Sequence, residues 1–403
     1  TPEMRTALIL TVMAVFMASC KPAPQIYLKR DGRNIVDGSG DPFLLRGIGL
    51  GGWMLQEPYM LKLSGISPAQ YDIRKKITAL VGEERCREFY DAWLANMVTR
   101  RDIDSLKAWG FNSVRLPMHY NLFTPPVEEE PDSVEFTWIE NGFIITDSLL
   151  AWCGANQMYL ILDLHAAPGG QGNDIPIADV DTTKPKLWEN EVNRRKTIAI
   201  WHKLAERYSD EPWIGGYDLI NETNFALEGN AALRKLLMEI TAAIRMNDTN
   251  HIIFIEGNHF ATDFAGLTPP WDSNMVYSFH KYWNAPARET IQKYLDIRNQ
   301  YNVPLWMGES GENNNEWYRS AVHLFETDSI GWAWWTLKKL GSESGIMNVM
   351  IPDGYQQIID YWRGNGPAPA PDEAYRVLMQ LTENIRIENC TVNYGVIDAL
   401  SGR

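Results

Sequence analysis

Tyr159-Leu160-Ile161-Leu162-Asp163-Leu164 is a short, mostly apolar run that gives way to a histidine and a glycine-rich loop, and Tyr217-Asp218-Leu219-Ile220-Asn221 is a second run of the same kind. Between them, residues 191–208 carry apolar side chains at helical spacing. The order strand, helix, strand predicts two parallel neighbours joined by a crossover, because antiparallel neighbours need only a tight turn. The same alternation continues outward in both directions. Further strand-like runs fall at 44–50, 112–116, 252–256, 275–280, 305–309 and 331–336. Amphipathic stretches fall at 101–109, 139–156, 231–246, 288–301, 316–327 and 371–384. Eight such strands over about 350 residues predict an α/β fold, a closed (β/α)8 barrel; an open doubly wound sheet is the alternative. A small N-terminal β-hairpin is expected within 25–40, turning at Asp31-Gly32 and capping the N-terminal face of the barrel.

Composition narrows the function classes. The chain has 403 residues and a formal net charge of −14, without a basic block, which argues against a nucleic-acid partner. Four cysteines with no C-x-x-C pair argue against zinc ribbons, iron–sulfur clusters and a disulfide framework. Sixteen tryptophans are an excess that either core packing or ligand stacking must absorb.

Residues 1–24 read as an export segment. Arg5 flanks an uncharged apolar stretch over 7–18, and Met17-Ala18-Ser19-Cys20 is similar to a bacterial lipoprotein cleavage site, with Cys20 as the lipidated residue. An ordinary signal peptide is the alternative. The expected product is an exported protein, at the cell surface or in the periplasm if lipidated and otherwise secreted, with no membrane contact except through Cys20. Residues 25–388 are expected to form the barrel domain, and 389–403 a C-terminal tail that could begin a further module. The expected oligomeric state is a monomer.

Gly47-Ile48-Gly49-Leu50-Gly51-Gly52 satisfies the G-x-G-x-x-G pattern of dinucleotide sites, which requires a helix to open at the third glycine. Trp53-Met54-Leu55-Gln56-Glu57-Pro58 follows instead, so the glycines are read as a close backbone turn after the first strand.

Polar residues gather at the predicted C-terminal strand ends, where barrel enzymes build their sites. Arg115 closes the second strand and His165 follows the third, Asn221-Glu222 ends the fourth, His280 and Tyr282 the sixth, and Glu309 the seventh, while the eighth carries Trp332, Trp334 and Trp335. Each residue alone has a structural explanation; their convergence on one face does not. Two glutamates on strands four and seven suggest paired carboxyl groups acting on a glycosidic bond, by a retaining route if they stand about 5–5.5 Å apart. Arg115 and Tyr282 as neighbours would hold Glu309 ionised, and the Glu309 charge would keep Glu222 protonated. Asn221 is free in this reading to bond the sugar 2-hydroxyl, and Trp335 forms an apolar floor. No H-E-x-x-H or comparable ligand spacing is present, so neither a metal nor a cofactor is expected.

These residues together resemble the large cellulase family of retaining glycosidases, glycoside hydrolase family 5 of clan A, over roughly residues 26–384. The resemblance implies Glu222 as acid/base and Glu309 as nucleophile, with Arg115, His165, Asn221, His280, Tyr282 and Trp335 around the sugar at the point of cleavage. Leu50–Tyr59 and the run from His165 to Gln171 are similar to the exo-β-1,3-glucanase branch, in which the equivalents of Glu57 and Asp174 bind the terminal sugar; here the loop differs in length by one residue before Asp174. Trp53, Trp188 and Trp283 fall in predicted loops and are stacking candidates. Trp93, Trp109, Trp152 and Trp201 lie in helical patterns and are expected in the core. The expected partner is a β-glucan polysaccharide or oligosaccharide. The rivals are a β-mannanase or other β-glycan hydrolase on the same barrel, and a non-catalytic glycan-binding surface lipoprotein.

Overall fold

Eight parallel strands close on themselves in the computed structural model, which describes residues 27–402. The expected export segment, with Arg5 and Cys20, lies outside the described residues. The chain enters through a hairpin, β1 (Lys29–Asp31) and β2 (Asn34–Val36). The barrel follows as β3 (Arg46–Gly49), β4 (Ser113–His119), β5 (Tyr159–Ala166), β6 (Ile214–Asp218), β7 (Ile252–Glu256), β8 (Met275–His280), β9 (Leu305–Gly311) and β10 (Gly331–Trp335). The strands pair in chain order, and β10 closes the ring on β3 with Trp332 opposite Arg46 and Trp334 opposite Ile48.

Side chains of a barrel strand alternate between the lumen and the helix layer. On β10 this sends Trp332 and Trp334 outward, where they pack against Phe111 and Tyr318, and turns Ala333 and Trp335 inward. Helices at Glu191–Tyr208, Ala231–Arg245, Arg288–Tyr301 and Pro371–Asn384 stand where the amphipathic pattern predicts them. The first of these starts where the Asn190 side chain accepts from the backbone N–H of Val192 and Asn193, and its Ile200, Trp201 and Leu204 are buried on the barrel.

The hairpin plugs the N-terminal mouth as expected, although its turn residues are Gly32-Arg33, since Asp31 pairs with Asn34. Leu28 and Ile35 pack in a separate small core with Tyr159, Ile252, Phe254 and Trp306, the lumen residues at the bottom of the barrel. The Arg30 backbone N–H donates to Asn274 Oδ1 at 2.8 Å, which fixes the plug between strands.

Several elements depart from the expected pattern. The fourth barrel strand begins at Ile214 and ends at Asp218, so Asn221-Glu222 lies beyond it on an irregular extension. A Cβ on Gly216 would stand 2.7 Å from the Ile252 carbonyl, so the glycine lets the strand sit there. Two further helices, Gln70–Val81 and Glu83–Met97, precede Arg100–Ala108 between β3 and β4. A three-stranded side sheet forms from β11 (Lys338–Leu340), β12 (Met347–Val349) and β13 (Thr391–Val392). Beyond it, Val396, Ile397 and Leu400 of the helix Tyr394–Ser401 are buried in the main core. Among the described residues no helix is long and apolar enough to cross a membrane.

Candidate active site

The C-terminal ends of the strands open into a cleft of about 820 Å³, lined by Glu57, Tyr59, His165, Asp174, Glu222, His280, Glu309 and Trp335 together with residues of the β7 and β8 loops. Glu222 follows β6 with its backbone in the left-handed region, φ 38°. This conformation is uncommon for a residue with a Cβ, and here Glu256 Oε2 holds it by accepting the Glu222 backbone N–H at 2.7 Å. Glu309 is on β9 itself. Oxygens of the two carboxyl groups, together with a His280 ring nitrogen, lie within 4.8 Å of one another.

The two glutamates sit in opposite electrostatic surroundings. Glu309 Oε2 accepts from the Arg115 guanidinium at 2.7 Å and Oε1 from the Tyr282 hydroxyl. Burial alone would raise its pKa, but the charges of His280, Arg115 and His165 and the Tyr282 hydrogen bond outweigh it and hold this carboxyl below its ordinary range. Glu222 is raised, chiefly by burial; the bond from His280 Nδ1 at 2.6 Å opposes the rise, and the Glu309 and Glu256 charges add to it. The assignment of charge from sequence therefore holds in direction, but desolvation and not the Glu309 charge is the first cause.

Arg115 is wholly buried beneath the cleft, where it binds rather than touches the open space. Its Nε donates to Asp218 at 3.0 Å, and Nη2 to Asn221 Oδ1 at 2.8 Å and Glu256 at 2.9 Å, with Asp163 at 3.1 Å. Asp163, Asp218 and Glu256 would crowd one another without that cation, and burial pushes Asp163 and Asp218 up while Glu256 is held down at about 2: burial, which alone would raise it, is outweighed chiefly by His280 and Arg115. Asn221 is engaged by Arg115 and by His165 Nε2 at 3.3 Å, so its amide is already oriented. Gln171 Nε2 ties the His165 and Asn221 carbonyls together at 2.6 and 2.8 Å.

Trp335 lines the cleft. Its ring stacks on His165 with centroids 5.4 Å apart, and its Nε1 donates to the Tyr59 hydroxyl at 2.7 Å. His165 Nδ1 meets Asp163 at 2.7 Å and Nε2 faces Glu57 at 3.7 Å; burial opposes its charge, but these carboxylates raise it to about 10. Glu57 is pushed up to about 7, first by burial. Gly51 explains the discarded glycine motif: a Cβ there would lie 2.2 Å from the Trp335 ring, so the glycine makes room for the indole.

Of the stacking candidates only Trp283 reaches the cleft, 84% exposed. Trp53 does not: it is buried in the core and its Nε1 donates to the Leu94 carbonyl, because the loop after β3 turns its indole under the helices. Trp188 packs against the core and donates to the Gln171 carbonyl. Trp93 and Trp201 are buried and Trp109 and Trp152 pack against the core, as expected. Sequence reading missed Asp163, Asp218, Glu256 and Tyr59 as parts of the site. A carboxylate inside an apolar strand run was the available signal for the first two, and Glu256 closes its strand as Arg115 closes the predicted second strand.

A family model described as Cellulase (glycosyl hydrolase family 5) matches residues 72–341. A "Beta-xylosidase" of Phanerodontia chrysosporium is 30% identical, over 82% of this chain and 75% of its own length. "Endoglucanase C" of Acetivibrio thermocellus is 24% identical, over 74% and 92% respectively. A "Glucan 1,3-beta-glucosidase" of Candida oleophila is 26% identical, over 69% of this chain and 64% of its own.

Proposed function

The chain belongs to glycosyl hydrolase family 5, a family of retaining glycoside hydrolases, and from that premise we propose that it cleaves β-glucans with Glu309 as nucleophile and Glu222 as acid/base. The observation that carries the roles is the pairing of a depressed and a raised carboxyl group, one oxygen of each within 4.8 Å of the other, and the retaining course is the family's. In the first step Glu309, ionised by Arg115 and Tyr282, attacks C1 while Glu222 gives its proton to the departing glycosidic oxygen. A glycosyl ester forms on Glu309 and the leaving group departs as an alcohol. Glu222, now a carboxylate that accepts from His280, then takes a proton from water as that water attacks C1 and releases Glu309. Trp335 offers its face to the sugar at the point of cleavage, and Glu57, His165 and Asp174 offer polar groups to its hydroxyls.

Glucan specificity draws on the printed activities of the endoglucanase and glucosidase relatives and on a neutral-sugar floor of one indole. A β-mannan or other β-glycan is the second reading, since the same pair of glutamates serves any equatorial linkage and the loops choose among them. Export, with Cys20 as a lipid anchor, is proposed from residues 5–24.

Assaying Glu222→Gln and Glu309→Gln on soluble β-glucan tests the roles. Glu309→Gln is expected to fall to background, and Glu222→Gln to lose about 10²–10⁴-fold on poor leaving groups and much less on activated ones. Full activity in either folded variant would remove that residue from the mechanism. Product analysis on β-glucans and mannans tests the substrate: single sugars from chain ends support a closed pocket around Glu57 and Asp174, and a ladder of oligosaccharides contradicts it.

A further inference from the structure

An indole N–H donates and cannot accept, so the orientation of Trp335 depends on the acceptor offered to it. That acceptor is the Tyr59 hydroxyl at 2.7 Å. Tyr59 keeps its own proton, because burial first, and then the Glu57 and Glu312 charges, push the phenol well above its ordinary range. With an oxygen lone pair committed to the indole, that proton is given to Glu312 Oε1, 3.1 Å away. Lys339 Nζ anchors the carboxylate from the far side, donating to its two oxygens at 2.7 and 2.6 Å and to Ser344 Oγ at 2.9 Å. The direction of every bond in the row follows from what each group can do: indole to hydroxyl, hydroxyl to carboxylate, ammonium to carboxylate.

Four elements meet to build this row. Tyr59 comes from the short turn Pro58–Leu61, Trp335 ends β10, Lys339 lies on β11, and Glu312 follows β9 directly. Gly311 is paired with Trp335 in the barrel register, and a Cβ on it would lie 2.2 Å from the Trp335 carbonyl. The glycine therefore lets the two strands close up and delivers the next residue beside the indole. That residue, Glu312, has φ 56°, in the left-handed region that a side chain disfavours, and the ion pair with Lys339 ties down its carboxylate. Tyr59, Glu312 and Trp335 all reach the cleft. His165 stacks on the Trp335 ring at an interplanar angle of 11°, which sets the tilt of the indole but leaves its rotation within the plane to the bond at Nε1.

We propose that Glu312, anchored by Lys339, is a positioning residue that fixes the orientation of Trp335 through the Tyr59 hydroxyl, and thereby sets the surface met by the sugar at the point of cleavage. The second half of this statement rests on the proposed function; the first stands on the hydrogen bonds alone. Without the carboxylate, the Tyr59 proton loses its acceptor, the hydroxyl turns, and the indole N–H loses the lone pair that held it.

The test reads the indole first and the kinetics second. In protein labelled with ¹⁵N-tryptophan, the Trp335 indole N–H signal is assigned by its loss in Trp335→Phe. It is expected to move upfield in Tyr59→Phe, and to move or broaden in Glu312→Ala, although Glu312 is one hydrogen bond removed from it. An unmoved signal in Glu312→Ala overturns the proposal. The Glu312 side chain is one-third exposed and Tyr59→Phe keeps the ring, so neither variant depends on core repacking. On the β-glycan cleaved best, Glu312→Ala is expected to lose about tenfold in kcat/KM in the parent background and less than about twofold in the Tyr59→Phe background, because the two residues act through one bond. Equal losses in the two backgrounds would give Glu312 a role of its own and overturn the proposal. A signal that moves as expected in a protein inactive on β-glucans and mannans alike would support the row and refute instead the function on which its kinetic consequence rests.

Discussion

Glu57 shows how much of the site is decided atom by atom. Its carboxyl is buried at the end of the loop after β3, 3.7 Å from His165 Nε2, and burial pushes it to about 7 against an ordinary 4.5. His165 opposes the rise, and the Glu309 and Glu222 charges add to it. A carboxyl raised on folding binds its proton more tightly in the native state, so its contribution to stability is complete below about pH 4.5. That contribution falls as pH rises and is gone above about pH 7. Glu57→Gln removes it. Urea unfolding between pH 4.5 and 7 is therefore expected to give a flatter stability profile in the variant, with a difference across the window on the order of 3 kcal/mol. Parallel profiles would mean that Glu57 does not carry the proton. The pair at the centre of the cleft was legible in sequence because Glu222 and Glu309 both fall near strand ends. Arg115 beneath them was legible as well, but its carboxylate partners were not. Asp163 and Asp218 sit inside apolar runs, and their function as partners of Arg115 depends on three strands meeting, which no local pattern encodes.

At the scale of elements, strand period was the dependable signal. Seven of the eight barrel strands lie where apolar and β-branched runs put them; the fourth begins at Ile214, ahead of the expected Tyr217, with Gly216 in close approach to β7. The helices at Gln70–Val81 and Glu83–Met97 do carry a helical period, burying Ile73, Ile77 and Leu80 and then Phe89, Trp93 and Met97, but they fall outside the strand–helix alternation, and the side sheet β11–β13 has strands of only two or three residues. The glycine run after β3 was correctly refused as a nucleotide motif, but its purpose became visible only with the Trp335 ring 2.2 Å from a Cβ placed on Gly51. Gly51→Ala is expected to displace that ring from His165 and from the Tyr59 hydroxyl. A shift of about 1 Å in the floor can cost on the order of 10²-fold in kcat/KM. Steady-state kinetics alongside thermal unfolding checks this. A variant with unchanged kcat/KM would show that the floor tolerates the methyl group, and Trp335 would lose its place as the surface that fixes the sugar.

The molecule as a whole separates stability from chemistry along the barrel axis. Its N-terminal mouth is closed by the β1–β2 hairpin, whose Leu28 and Ile35 fill a small core with Tyr159, Ile252, Phe254 and Trp306, detached from the main core that lies between strands and helices. Arg115 with its carboxylate partners and the cleft occupy the other end. In a (β/α)8 barrel the bottom face carries stability and the top face carries the reaction, because only the top is built from loops free to vary. Ile35→Ala should then lower unfolding free energy by about 2–4 kcal/mol, the usual cost of emptying a buried aliphatic site. The values of kcat and KM on the preferred glycan should stay within about twofold, since Ile35 packs with Leu28 and the residues at the closed end of the barrel and is not among those lining the cleft. Denaturant unfolding and steady-state kinetics on the same preparation decide the matter. A loss of activity at temperatures where the variant is fully folded would show that the plug transmits its packing through the lumen to Glu309, by way of Trp306 on the same strand. In that case the two ends of the barrel would have to be treated as one coupled unit.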